Sequence, residues 1–214
     1  MDFSKLEVLL KKQLSYGYSW GKKQDNSWDY KTNFIYKISS FEHLLEKCDS
    51  EGFSVELRNY AVNRWLNFQS AKAIESMFTS HNLVKKEENI YHQSIDFYID
   101  GLNFDHKTSV FPRGFNKTIE YSMNNKKELI SWLYKNQSQQ RRKHLDNRIF
   151  VITYDSKTSQ HWKLKSDLQA LNDIINNYLD NYSKNNLIIL DQGELDKNIA
   201  NGVKVYSDII WYIK

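Results

Sequence analysis

The stretch Ser94 to Val110 reads SIDFYIDGLNFDHKTSV. Ile95, Phe97 and Ile99 are apolar and alternate with Ser94, Asp96, Tyr98 and Asp100. That period of two is the pattern of a half-buried strand. A second strand follows, in which Phe104, His106, Thr108 and Val110 alternate with Asp105, Lys107 and Ser109. A tight turn must join them. Gly101-Leu102 offers glycine at the first central position, as a type II′ turn requires, and Asp100-Gly101 is the other two-residue choice. The first turn sets Asp96 opposite Lys107 and Tyr98 opposite Asp105; the second sets Asp96 opposite Asp105. Either way Asp96, Asp105 and Lys107 are expected on one face, and only a three-residue loop would split them. Two carboxylates and a lysine on one face suit a hard divalent cation with an ammonium beside it.

The elements around this hairpin follow from periodicity. Upstream, Leu57, Tyr60, Ala61, Trp65, Phe68, Ala71, Ile74, Met77 and Phe78 recur at three- and four-residue steps, which predicts helix over 54–80, either one helix or two joined near Asn67-Ser70, with Ser54 as its cap. Glu75 lies at the margin of its apolar face. It is either a solvated acid near Lys72 or a carboxylate aimed at the hairpin. Leu83 to Glu88 suits a short charged edge strand. Downstream, Pro112-Arg113-Gly114 ends the hairpin. Lys126 to His144 reads as a helix, and RIFVITY over 148–154 as a buried strand. Trp162 to Tyr182 is an amphipathic helix; Leu187–Leu190 and Lys204–Lys214 are further strands. At the N-terminus, Phe3–Leu14 and Phe41–Cys48 are helical, and Phe34–Ile38 suits a short strand. The aromatics of 16–37 either cap the core or stack on bases.

Composition narrows the class. The chain has 214 residues, with 40% hydrophobic and 14% aromatic content, enough for a packed core and unlike disorder. A single domain is expected, with an N-terminal extension over 1–50, a core over 54–154 and a C-terminal helix and strands over 155–214. A net charge of +4 permits a polyanionic partner without demanding one. Cys48 alone makes no intrachain disulfide, and no Cys/His cluster has zinc spacing. The opening Met1-Asp2-Phe3 lacks the pattern of a secretory leader, and no apolar run reaches membrane length, so a cytoplasmic protein that does not enter the membrane is expected.

The Asp-x-Lys triplet carries little weight by itself. Roughly three acid-x-Lys triplets are expected by chance in a chain of this composition. The ones found are Asp29-Tyr30-Lys31, Asp105-His106-Lys107 and Asp155-Ser156-Lys157. Only the middle one lies within a predicted strand with another acid on the partner strand. Its setting resembles the active site of the PD-(D/E)xK nuclease superfamily. That resemblance implies an α/β protein with a restriction-endonuclease-like α-β-β-β-α-β core, its mixed central sheet flanked by helices, plus N- and C-terminal additions. The predicted elements from 56 to 154 follow this order, covering roughly half of the chain. Asp96 would be the first acid of the motif, Asp105 the second, and Lys107 the lysine. Glu75 matches the glutamate that many members carry on the first core helix. Ile95 stands where the namesake proline would be, and the spacing between the aspartates is short.

The resemblance implies a metal-dependent deoxyribonuclease, either endo- or exonuclease, that hydrolyses phosphodiester bonds. Mg²⁺ or Mn²⁺ would be held by Asp96, Asp105, Glu75 and the backbone carbonyl of His106, with Lys107 orienting water. The His106 ring itself should point to the opposite face. Arg113, Lys117 and the basic run including Arg141, Arg142 and Lys143 are candidates for phosphate contacts. The bland account of that run is a solvated helix end, where cations suit the dipole. Gln140 is a candidate by analogy with a glutamine on the second core helix of some members. DNA is the expected partner, and a homodimer would let such an enzyme cut both strands. Two other classes remain open on sequence alone: a catalytically inactive nucleic-acid-binding or assembly protein that keeps the fold, and a structural α/β protein whose acidic hairpin is a solvated face.

Overall fold

The computed structural model describes residues 2–19, 26–89, 94–136, 145–196, 198 and 202–214. Its elements run α1 (Phe3–Lys12), α2 (Ser27–Lys31), α3 (Phe41–Ser50), α4 (Val55–Thr79), β1 (Val84–Lys86), β2 (Phe97–Ile99), β3 (Leu102–Val110), α5 (Ile119–Asn124), α6 (Lys126–Asn136), β4 (Arg148–Tyr154), α7 (Leu168–Asp180), β5 (Ile188–Asp191), α8 (Gln192–Leu195) and β6 (Lys204–Ile213). The strands form one six-stranded mixed sheet in the order β1-β2-β3-β4-β6-β5. β1, β2 and β3 are an antiparallel meander, while β3, β4 and β6 are parallel and β5 returns antiparallel along β6. The C-terminal strand therefore lies inside the sheet beside β4.

The apolar run of β4 follows from its place between two parallel neighbours. Ile149 and Val151 enter one core layer, with Trp65, Phe78, Leu171 and Ile175 from α4 and α7. Phe150 and Ile152 enter the other, with Leu129, Ile130 and Leu133 from α6. A strand covered on both faces needs apolar residues at both parities. Parallel pairing of β3 with β4 also requires a long crossover, and α5 and α6 provide it.

α4 begins where it was expected, with the Ser54 side chain accepting from the Leu57 N–H at 3.3 Å. It is one continuous helix, buried on more than one side because the N-terminal segment wraps it. Arg64, only 8% exposed, organises that wrapping. Its guanidinium donates to the Asp29 carbonyl (2.8 Å), Thr32 Oγ1 (2.6 Å), Asn33 Oδ1 (3.1 Å) and the Tyr36 hydroxyl (2.8 Å). The expected strand over Phe34–Ile38 is instead a 3-10 turn, Asn33–Lys37. These bonds curl the segment around one buried charge, and an extended strand would break them. The expected helix over 162–182 starts later, at Leu168; Trp162 lies in a 3-10 turn, His161–Ser166. α6 ends at Asn136, and the rest of the helix expected there lies outside the described residues.

The hairpin turn is Asp100-Gly101, since Ile99 pairs with Leu102 and Tyr98 with Asn103. Both turn residues are left-handed, with φ of +48° and +74°. That is the type I′ geometry, whose twist matches the flanking strands. Open space surrounds the position a Gly101 Cβ would take, so the penalty for adding one is purely conformational. Gly101→Ala is expected to lower stability by about 1–2 kcal/mol, measurable by urea unfolding.

Candidate functional site

Strand pairing between β2 and β3 stops at Phe97 and Phe104. The Asp96 N–H reaches the Phe104 carbonyl at 2.8 Å, so Asp96 and Phe97 both face Phe104, as in a β-bulge. Beyond that point β3 continues along β4 only, among the described residues. The bulge changes where Asp96 points. Its carboxylate accepts from the His106 N–H at 2.8 Å and meets His106 Nδ1 at 2.6 Å. The His106 ring is buried beside Phe78 and Phe97, on the α4 side of the sheet.

Asp105 takes the other direction. Its carboxylate pairs with Arg148 Nε at 2.6 Å across the parallel register, with the side chains 19% and 11% exposed respectively. The Arg148 guanidinium lies over the rings of Tyr134 and Phe150, on the α6 side. The expectation that Asp96, Asp105 and Lys107 share one face is thus corrected. The turn has two residues as expected, though they are Asp100-Gly101 rather than Gly101-Leu102, and the bulge at Asp96 ends the alternation on which a common face depended. Asp105 and Lys107 share their parity on β3; Asp96 is drawn to the strand edge and held by His106.

The charges of all three acids nevertheless act on the His106 ring. Burial alone would lower the His106 imidazole, and the Asp96 hydrogen bond together with the charges of Asp96, Asp105 and Glu75 outweighs it, so the ring is raised above its ordinary 6.5. Burial alone would raise the Asp96 carboxyl; the His106 ring and N–H, with the charge of Lys107, hold it below its ordinary 3.8. Glu75, half-buried on α4, has no ion pair among the described residues; Lys72 sits over the Phe68 ring instead. Lys107 is exposed and likewise makes no ion pair among the described residues.

The pair has a defined pH window. A raised histidine contributes stability that is present below 6.5 and lost as pH rises through its folded value; a lowered carboxyl contributes stability present above 3.8 and lost as pH falls through its folded value. Asp96→Asn is therefore expected to destabilise most between pH 3.8 and 6.5, with the deficit shrinking on either side. Thermal unfolding of both proteins in EDTA across pH checks this, and a deficit independent of pH would exclude the ion pair as its source.

The other sequence candidates are dispersed. Arg113 and Lys117 are exposed beyond the end of β3, and Lys117 lies 5.0 Å from the Tyr121 ring. Gln140, Arg141, Arg142 and Lys143 lie outside the described residues. Tyr98 donates to Glu87 Oε2 at 2.6 Å, and Ser109 to the Val110 carbonyl. The competing triplets have structural roles: Asp29 bonds Tyr60 and Arg64, and Asp155 accepts from the Lys157 and Thr158 N–H groups of its own turn. Sequence reasoning missed Arg148 as the partner of Asp105. A polar residue opening an otherwise apolar strand was the available signal, but its register against β3 was not readable.

All the donors near His106 are oxygens of carboxylates or backbone, the kind that Mg²⁺ and Mn²⁺ prefer. No group of three or more His, Cys, Asp or Glu side chains among the described residues is already arranged around a common point to hold an ion. Binding one would require Asp96 or Asp105 to turn from its present cation. No helix among the described residues is long and apolar enough to cross a membrane. The chain is an α/β protein with a mixed six-stranded sheet flanked by helices, and no family model, curated protein or solved structure matches it.

Proposed function

We propose that this chain is a metal-dependent nuclease acting on DNA, with a restriction-endonuclease-like core running α4-β1-β2-β3-α6-β4. The observation that carries this reading is the Asp96–His106 contact where β2 leaves β3, with Asp105 and Lys107 flanking His106 on β3. Glu75, Asp96, Asp105 and the His106 carbonyl would hold Mg²⁺ or Mn²⁺. The bound ion would neutralise phosphate charge and make water more acidic. Lys107, exposed and without an ion pair among the described residues, donates to the phosphate or to the water as charge develops. His106 and Arg148 hold the carboxylates apart in the absence of metal, offsetting the repulsion that three acids would otherwise suffer. Two copies acting together would cut both strands.

A second reading has its own support. Asp96 and Asp105 are each engaged at 2.6 Å, by the His106 ring and the Arg148 guanidinium, as in a protein that keeps the fold without catalysis. The two readings separate in one assay on plasmid, single-stranded DNA and RNA with Mg²⁺, Mn²⁺ or EDTA. The nuclease reading expects divalent-dependent cleavage of DNA and a metal-dependent rise in melting temperature. Salt-sensitive binding with no cleavage in any metal would establish the second reading instead.

A further inference from the structure

The far end of β3 and β4 carries an aromatic and cationic cluster that the candidate metal site does not use. Tyr18 is 49% exposed and stacks on Trp162, with ring centroids 4.8 Å apart and planes at 22°. Trp162 packs its other surroundings against the core, whereas Tyr18 lies outside it. The Lys163 ammonium is 5.7 Å from the Trp162 ring. Next in the row, His161 stacks on Tyr154 at 4.7 Å, and Tyr154 meets Phe111 edge-on.

These rings are held in place from both sides. Asn63 Nδ2 donates to the Gly17 carbonyl at 3.0 Å, fixing the backbone just before Tyr18. His161 Nδ1 accepts from the Asp155 N–H at 2.8 Å, and its carbonyl accepts from Thr153 Oγ1 at 2.9 Å, fixing the turn that carries Trp162. Arg113 is exposed, without an ion pair among the described residues, and follows by two residues Phe111, the ring that meets Tyr154 in this row. Lys157 is exposed on the adjoining loop. Asp155, the neighbouring acid, is turned into its own loop, so the cluster keeps a cationic rim.

An outward aromatic face, pre-stacked on a second ring and bordered by lysine and arginine, is the arrangement that binds unpaired nucleotides. Bases in a duplex are already stacked on each other; a free base has a face to offer. The cluster also lies at the carboxyl ends of β3 and β4, where ligands of open α/β sheets commonly sit. Arg113 is six residues past Lys107, ~20 Å if the chain stays extended, so one nucleic-acid strand can span both places.

We propose that Tyr18 and Trp162, with Arg113 and Lys163, form a stacking site for an unpaired nucleotide, so that this protein engages single-stranded nucleic acid beside its candidate catalytic centre. The proposal rests on the nuclease reading only for the meaning of that neighbourhood. Its test is therefore run in EDTA, where no metal-dependent cleavage takes place. The full chain is titrated into fluorescent oligo(dT), oligo(U) and a blunt DNA duplex of equal length, read by anisotropy. The wild type is expected to prefer the single strands; the dT and U arms show whether the sugar matters. Tyr18→Ala, a change at an exposed ring that leaves the core untouched, is expected to weaken single-strand binding on the order of tenfold, the loss of one base stack, and to leave duplex binding within about twofold. Arg113→Gln is expected to weaken both and to reduce the salt slope by about one. No single-strand binding by the wild type, or binding unchanged in Tyr18→Ala, overturns the proposal. Intact binding by a protein that never cleaves would instead count against the nuclease reading alone.

Discussion

Lys107→Ala is expected to reduce divalent-dependent DNA cleavage on the order of 10²–10³-fold while the protein stays folded. The magnitude is that of removing one preorganised donor from the place where negative charge develops. The variant is a clean one because Lys107 is exposed and makes no ion pair among the described residues, so its loss should shift stability by no more than about 0.5 kcal/mol. Its charge adds to the His106 contacts that hold the Asp96 carboxyl below 3.8. Single-turnover cleavage of plasmid in Mn²⁺, alongside thermal unfolding, measures both quantities. Cleavage at the wild-type rate would remove Lys107 from the chemistry and, with it, the candidate site on this hairpin.

Asp105→Ala should behave differently, losing both cleavage and stability. Asp105 meets Arg148 in a pair that is largely sheltered from water, with side chains 19% and 11% exposed. Truncating the acid takes a carboxylate from a guanidinium that lies over the rings of Tyr134 and Phe150 and is 11% exposed. The expected loss is about 1.5–3 kcal/mol, the contribution of a hydrogen bond between charged groups. Urea unfolding measures it. The double variant Asp105→Ala/Arg148→Ala should be less damaged than the sum of the single ones, since both single changes remove the same ion pair. Additive losses would mean that the pair contributes nothing. It follows that inactivity in Asp105→Ala by itself is ambiguous, and that Asp105→Asn, which still accepts from Arg148, is the better companion to Lys107→Ala.

Much of the architecture could be read from local chemistry. The capped helix at Ser54, the RIFVITY strand, the last strand over 204–213 and the presence of a hairpin all follow from periodicity and turn residues that act over a few positions. These signals are local because hydrogen bonding in a helix or tight turn is local. The failures lie where a distant partner decides the outcome. Phe34–Ile38 has the composition of a strand, yet Arg64 curls that segment into a 3-10 turn. Its hydrogen bonds run over a separation of roughly thirty residues, which no local pattern announces.

The candidate site divides along the same line. Sequence alone determined that Asp96, Asp105 and Lys107 lie on one hairpin, that a two-residue turn joins its strands, and that the His106 ring points into the core. Only the tertiary structure decided what each acid does there. The Phe104 carbonyl takes the Asp96 N–H and creates a bulge, sending Asp96 to His106; β4 arrives in a register that delivers Arg148 to Asp105. Alternation along a strand specifies a face only while the ladder is regular, and the identity of a neighbouring charge depends on which distant strand packs alongside. Both were settled by the sheet, because a half-buried carboxylate takes whatever hydrogen-bond donors the fold brings to it.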